Sequence, residues 1–308
     1  MTDQKNILVL VDGSERSMQT VQYVGKFLPS AGLHVVLFHV FDPVPECYWD
    51  LQTDPLSSQL YSLLKSWQQQ KKKNIEDFAE KAKKFLVNCG FDETSVEIKI
   101  QNRKHGVARD IVKEAENGYS AVAIHRRGAG ALDSFVLGSV ANKLLSKMIF
   151  VPLIVTGQMP PVKKILLSID GSESSYRVIE FVGEFLGKGD YEVVLFNVIR
   201  GLSMILPEHP DLKIPVDRFE LAKSEIAVLF IELKEKLVSA GFDPEKISEK
   251  IVTDEFSRAS AIVKEAEKGG FGAIVVGRRG ISKVEEFFMG RVSNKVIHGG
   301  RNHTVWVV

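Results

Sequence analysis

A segment near the start of the chain returns near its middle. Ile7 to Val40 and Ile165 to Val198 align without a gap at an offset of 158, with sixteen of the 34 paired positions identical. Further along, IVKEAE at Ile111 recurs at Ile262 and GFD at Gly90 recurs at Gly241, both at an offset of 151. Arg126-Arg127-Gly128 returns as Arg278-Arg279-Gly280 at 152. Repetition of this kind fixes the architecture before any secondary structure is assigned. The chain is one unit written twice, and the shorter second copy has lost residues from its middle. The link falls at GQMPPV, Gly157 to Val162, which predicts domains over 1–157 and 162–308. A length of 308 residues suits two domains of roughly 100 to 200 residues each.

Each copy alternates strand and helix. Ile7–Val11, Val35–Val40, Ser95–Ile100, Ala121–Ile124 and Phe150–Val155 are short apolar runs of the kind buried on both faces of a parallel sheet. Between them lie helical spacings: Met18, Val21, Val24, Phe27 and Leu28, then Leu56 to Asn88, then Val107 to Glu116, and a helix starting near Gly138. QQQKKK at Gln68 reads as the solvated face of the long helix. The expected fold is α/β: two tandem doubly wound domains, each a five-stranded parallel sheet of order 3-2-1-4-5 with helices on both faces.

Composition narrows the partners. Forty basic against 39 acidic residues give a net charge of +1, so neither nucleic acid nor an anionic membrane is attracted in general, and any anion needs a local site. The N-terminal apolar run is too short for a signal peptide, and no stretch has the length of a membrane span. Cys47 and Cys89 have no partner at metal spacing, and the seven histidines are scattered. A cytoplasmic protein is expected.

In an open parallel sheet, ligands bind beyond the carboxyl ends of the strands, where the order reverses. Two loops in each copy lie there. Strand one ends at Asp12 in the first copy and Asp170 in the second, each in DGS. After strand four the second copy reads Gly277-Arg278-Arg279-Gly280, nine residues, then Gly290-Arg291-Val292-Ser293. The first glycine admits close approach of a ligand, the second supplies positive φ, and the third opens a helix whose free N–H groups face an anion. In the first copy Gly128, Gly138, Ser139 and Val140 match, but His125 stands at the point of closest approach. Other uses fit the same residues. The aspartates suit helix N-caps, the glycines suit turns with or without a ligand, the arginines suit solvated loops, and His125 suits a packed substitute rather than a base.

This spacing, the aspartate after strand one and the duplication resemble the universal stress protein family over nearly the whole chain. Its ATP-binding members carry G-x2-G-x9-G-[ST] after strand four. The resemblance implies that Asp170 and Asp12 approach the adenosine, and that Val198 and Val40 offer backbone atoms to adenine. Gly277, Gly280 and Gly290 would line the ribose and phosphates, Arg278 and Val292 would stand beside them, and Ser293 would donate a hydroxyl. Arg291 replaces the family's Ser or Thr and either pairs with phosphate or points to solvent.

A Walker lysine motif, a G-x-S-x-G elbow and a Cys-His signature are all absent from the sequence. The resemblance implies a binding function: a stress-response protein holding ATP or a related adenine nucleotide, with any divalent cation bound through phosphate, and with partner interactions that follow occupancy. The second copy, with its three glycines, is the better candidate. A scaffold without nucleotide is the alternative, and ATP hydrolysis would be weak at most. The apolar final strands, FVPLIV at Phe150 and HTVWVV at His303, would be aggregation-prone edges unless paired, so the two halves are expected to join through them. A homodimer and an unidentified protein partner are further possible associations.

Overall fold

The structure is a computed structural model, and it describes residues 5–45, 58–127, 137–158, 160–187, 189–200, 216–253, 255–280 and 289–308. In the first half β1 (Lys5–Leu10), α1 (Glu15–Phe27), β2 (Leu33–Phe41), α2 (Ser58–Asn88), β3 (Val96–Asn102), α3 (Val107–Ala115), β4 (Ala121–His125), α4 (Ser139–Lys147) and β5 (Leu153–Thr156) follow in order. The second half repeats them as β6 (Lys164–Ser168), α5 (Glu173–Leu186), β7 (Glu192–Ile199), α6 (Val216–Ser239), β8 (Ile247–Thr253), α7 (Arg258–Gly269), β9 (Ala273–Val276), α8 (Arg291–Gly299) and β10 (Val305–Val307).

The strands form a single sheet in the order β3-β2-β1-β4-β5-β10-β9-β6-β7-β8. Read inward from its outer edge, each half has the expected 3-2-1-4-5 order with parallel neighbours. Ile7, Leu8 and Val9 are fully buried, as are Ile165, Leu166 and Leu167, because helices cover both faces. One core packs α1, α2, α5 and α6 on one face, and another packs α3, α4, α7 and α8 on the other. Both cores run through both halves.

The halves join where the apolar edges required it. β5 and β10 pair antiparallel, with Val305 opposite Val155, Trp306 opposite Ile154 and Val307 opposite Leu153. Each strand starts later than its apolar run. Pro152 has no N–H to give a ladder, and Phe150 is half exposed. Trp306 is fully buried at the seam. Its Nε1 donates to the Tyr23 hydroxyl at 3.1 Å, and the rings of Phe27, Phe181 and Phe185 meet it edge-on at 5.8, 5.9 and 6.0 Å. The Tyr191 hydroxyl donates to the Phe27 carbonyl across the same seam.

Candidate functional site

The order reverses at β1/β4 and at β6/β9, so the carboxyl ends of these strands open a crevice in each half. Over the second half this crevice is a cavity of about 610 Å³, inside the range of roughly 300 to 1,000 Å³ typical of small-molecule sites. Asp170, Val198, Gly277, Gly280, Gly290, Arg291, Val292 and Ser293 all line it.

The floor is set by the DGS turn. Gly171 takes φ of 77° and Gly13 takes 81°, so the positive φ expected of the strand-four glycines belongs instead to the strand-one loops. Neither aspartate is the helix N-cap. Ser14 caps α1, accepting from the Ser17 N–H, and Ser172 occupies the N-cap of α5. Asp12 Oδ1 accepts from the Ser14 N–H at 3.1 Å. Asp170 Oδ1 accepts from the Ser172 N–H at 3.1 Å and from the Ser172 and Ser175 hydroxyls at 2.6 and 2.9 Å. Each aspartate ties down its turn.

The three glycines of the second half sit close to the protein's own atoms, most tightly at Gly277. A Cβ on Gly277 would lie 2.5 Å from Ser174 Cβ, and one on Gly280 would lie 2.7 Å from Asp170 Oδ2. One on Gly290 would lie 3.2 Å from the Arg278 carbonyl oxygen, which accepts from the Gly290 N–H at 2.8 Å. These close approaches draw the strand-one loop, the strand-four loop and the start of α8 around one opening. The N-terminus of α8 has no side-chain cap, so its first-turn N–H groups and the positive end of its dipole face the cavity beside Arg279 and Arg291.

Two of the expected ligand contacts are corrected. Arg278 is buried and does not line the cavity; its guanidinium crosses the seam and donates to the Leu145 and Met148 carbonyls at 2.6 and 2.5 Å. Arg126 does the same in reverse, donating to the Ile297 and His303 carbonyls. Each arginine satisfies orphan carbonyls at or just beyond the C-terminal end of a helix in the other half, which is why neither is a solvated loop charge. Burial, then the adjacent Arg127 or Arg279, lowers both guanidinium pKa values to about 10. Ser293 does line the cavity, but its hydroxyl proton goes to the Gly277 carbonyl at 2.6 Å, so it can only accept from a ligand.

The first half is built differently at the same depth. Val40 is buried, and Gly138, Ser139 and Val140 again open an uncapped helix, α4, with the Gly138 N–H donating to the Arg126 carbonyl at 2.7 Å. Gly128 lies outside the described residues. His125, in the place of Gly277, is buried; its Nδ1 sits 3.0 Å from the Arg127 carbonyl oxygen and its Nε2 has no partner among the described residues. Burial pushes the imidazole down to about 4, and the nearby Arg16 and Arg126 charges act in the same direction. It is a packed, neutral ring, not a base. Arg16 takes the place of Ser174, and Lys71 takes the place of Ala222.

Sequence reasoning missed several residues that line the second cavity: Ser174 on α5, Ala222, Glu225 and Ile226 on α6, and Arg258 and Ile262 at the start of α7. Those on α6 lie in the middle segment, where the two copies diverge. Comparison of Ser174 with Arg16 was the one available signal.

The universal stress protein family model matches the chain twice, over residues 4–155 and 161–308. A universal stress protein of Mycolicibacterium smegmatis is 28% identical over 176 residues, a match that spans 55% of each chain and so about half of that relative's length. Among solved structures, a universal stress protein from Archaeoglobus fulgidus superposes with a TM-score of 0.61 at 18% identity, over 99% of this chain and 98% of its own. A protein of unknown function from Pseudomonas aeruginosa gives 0.53 at 13% identity, over 100% and 93%. Both share the fold.

Proposed function

The chain belongs to the universal stress protein family in both halves, and from that premise we propose that the cleft of the second half binds a nucleoside polyphosphate, ATP or a related nucleotide. The observation that carries this reading is the open cavity against the uncapped start of α8, with Arg279 and Arg291 on its wall. Backbone N–H groups and guanidinium groups converging on one end of a crevice are what a phosphate chain requires. The lining also includes Ile199, Ala222, Ile226 and Ile262, apolar surface on which a base could stack. Asp170, also in the lining, is the group this reading sets against the sugar.

The protein acts in this reading as a cytoplasmic stress-response protein whose associations depend on occupancy. Among the described residues no helix is long and apolar enough to cross a membrane. Among them, too, no group of three His, Cys, Asp or Glu could hold a metal ion, so a divalent cation would arrive with the phosphates. The first half favours the scaffold reading for itself, because Arg16, His125 and Lys71 replace the small residues that leave the second cleft open.

The test is thermal denaturation of the full chain with and without ATP. Nucleotide at a hundred times its Kd should stabilise the protein by about 2.7 kcal/mol, because it binds only the native state. An unchanged melting temperature in millimolar ATP and GTP would leave the scaffold reading for both halves.

A further inference from the structure

The lining of the second cavity includes two charged side chains, half-buried Arg258 and exposed Glu225. Arg258, at the first position of α7, lines the wall with Glu225, which projects from α6. Arg258 Nε points to the Val198 carbonyl oxygen at 3.4 Å, a long contact, and no carboxylate among the described residues pairs with its guanidinium. Glu225 makes no ion pair among the described residues either, so the two line one cavity without meeting. The corresponding positions of the first half are Val107 and Asn74. An unpaired donor fork and a carboxylate on the exposed side of α6, both lining one cavity, are complementary to a flat ligand that offers acceptors on one edge and donors beside them.

The pattern distinguishes the purines. Guanine presents O6 and N7 as adjacent acceptors, which an arginine meets with two parallel hydrogen bonds, and it presents N1–H and the 2-amino group as adjacent donors for a carboxylate. Adenine puts a donating amino group beside N7, so the same guanidinium meets a donor with donors. The Val198 carbonyl, the backbone group that the family resemblance sets against adenine, faces Arg258 Nε. We infer that Arg258 and Glu225 set the base specificity of the second cleft and select guanine nucleotides over adenine nucleotides.

This rests on the nucleotide reading of the cleft and departs from the adenine that the family resemblance implied. The experiment is calorimetric titration of the full chain with GTP, ITP and ATP, repeated with Arg258→Ala and Glu225→Gln. GTP should bind the unaltered protein about tenfold more tightly than ATP. Arg258→Ala should weaken GTP and ITP about tenfold and leave ATP within about twofold. Glu225→Gln should weaken GTP more than ITP, because ITP lacks the 2-amino group. A variant that merely misfolds would lose all three nucleotides together, whereas the ratio between them moves only if these side chains read the base. ATP binding as tightly as GTP would overturn the specificity and leave the nucleotide reading standing. Failure of all three to bind the unaltered protein would overturn both.

Discussion

The two clefts share a scaffold and differ in what fills them. In the second half Ser174, Gly277 and Ala222 leave room over the strand ends; in the first half Arg16, His125 and Lys71 stand at those three positions. Each exchange replaces a small residue with a long or aromatic one. The backbone apparatus survives in both halves: the Asp-Gly-Ser turn, the arginine carbonyl that accepts from the next glycine, and the uncapped helix after it. A duplicated fold retains the parts that hold its own loops together while one copy of the site takes larger side chains. Retained motif residues therefore report first on architecture and only second on binding.

Where the halves should behave alike, at the seam, the largest effect is expected. Arg278→Ala removes two charge-assisted hydrogen bonds and leaves the Leu145 and Met148 carbonyls without a partner, a loss of about 4 kcal/mol. Arg126→Ala should cost a similar amount, since it abandons the Ile297 and His303 carbonyls. Chemical denaturation of both variants checks this. A loss confined to one of them would break the symmetry of the seam.

A smaller effect should separate the halves. The folded protein keeps His125 neutral, with its pKa lowered from 6.5 to about 4 by burial. Stability from that ring is complete above pH 6.5 and is lost as the pH falls from 6.5 towards 4, up to about 3 kcal/mol. Burial lowers His39 as well, and its counterpart is Asn197, just as that of His125 is Gly277. His125→Asn should therefore reduce the acid loss measured between pH 7 and pH 4.5. An identical loss in the variant would move the acid-sensitive group elsewhere, His303 at the seam being the next buried imidazole.

Much of this was legible in the chain because its causes are local or periodic. Apolar runs such as Ile7–Val11 specify strands, and repetition specifies a second sheet of the same order. Unpaired apolar final strands specify their own pairing, now seen at Val155 and Val305. The glycine spacing led to the correct loops but not to the correct reasons: Gly277 and Gly280 make room for Ser174 and Asp170, and neither has positive φ. Arg278 was misassigned because its partners, Leu145 and Met148, are more than a hundred residues away in the other half. Arg258 and Glu225 carry no spacing signal, and only folding brings the start of α7 and the middle of α6 to one cavity.

The inequality of the two clefts is tested most directly by the number of nucleotides bound per chain, measured by equilibrium titration of the full protein and of Ser174→Arg. The substitution copies Arg16 into the second half, which places a guanidinium over the Gly277 loop. One nucleotide per chain in the unaltered protein and none in the variant is the expected result. Two per chain, or one that the variant retains, would contradict the assignment of binding to the second half.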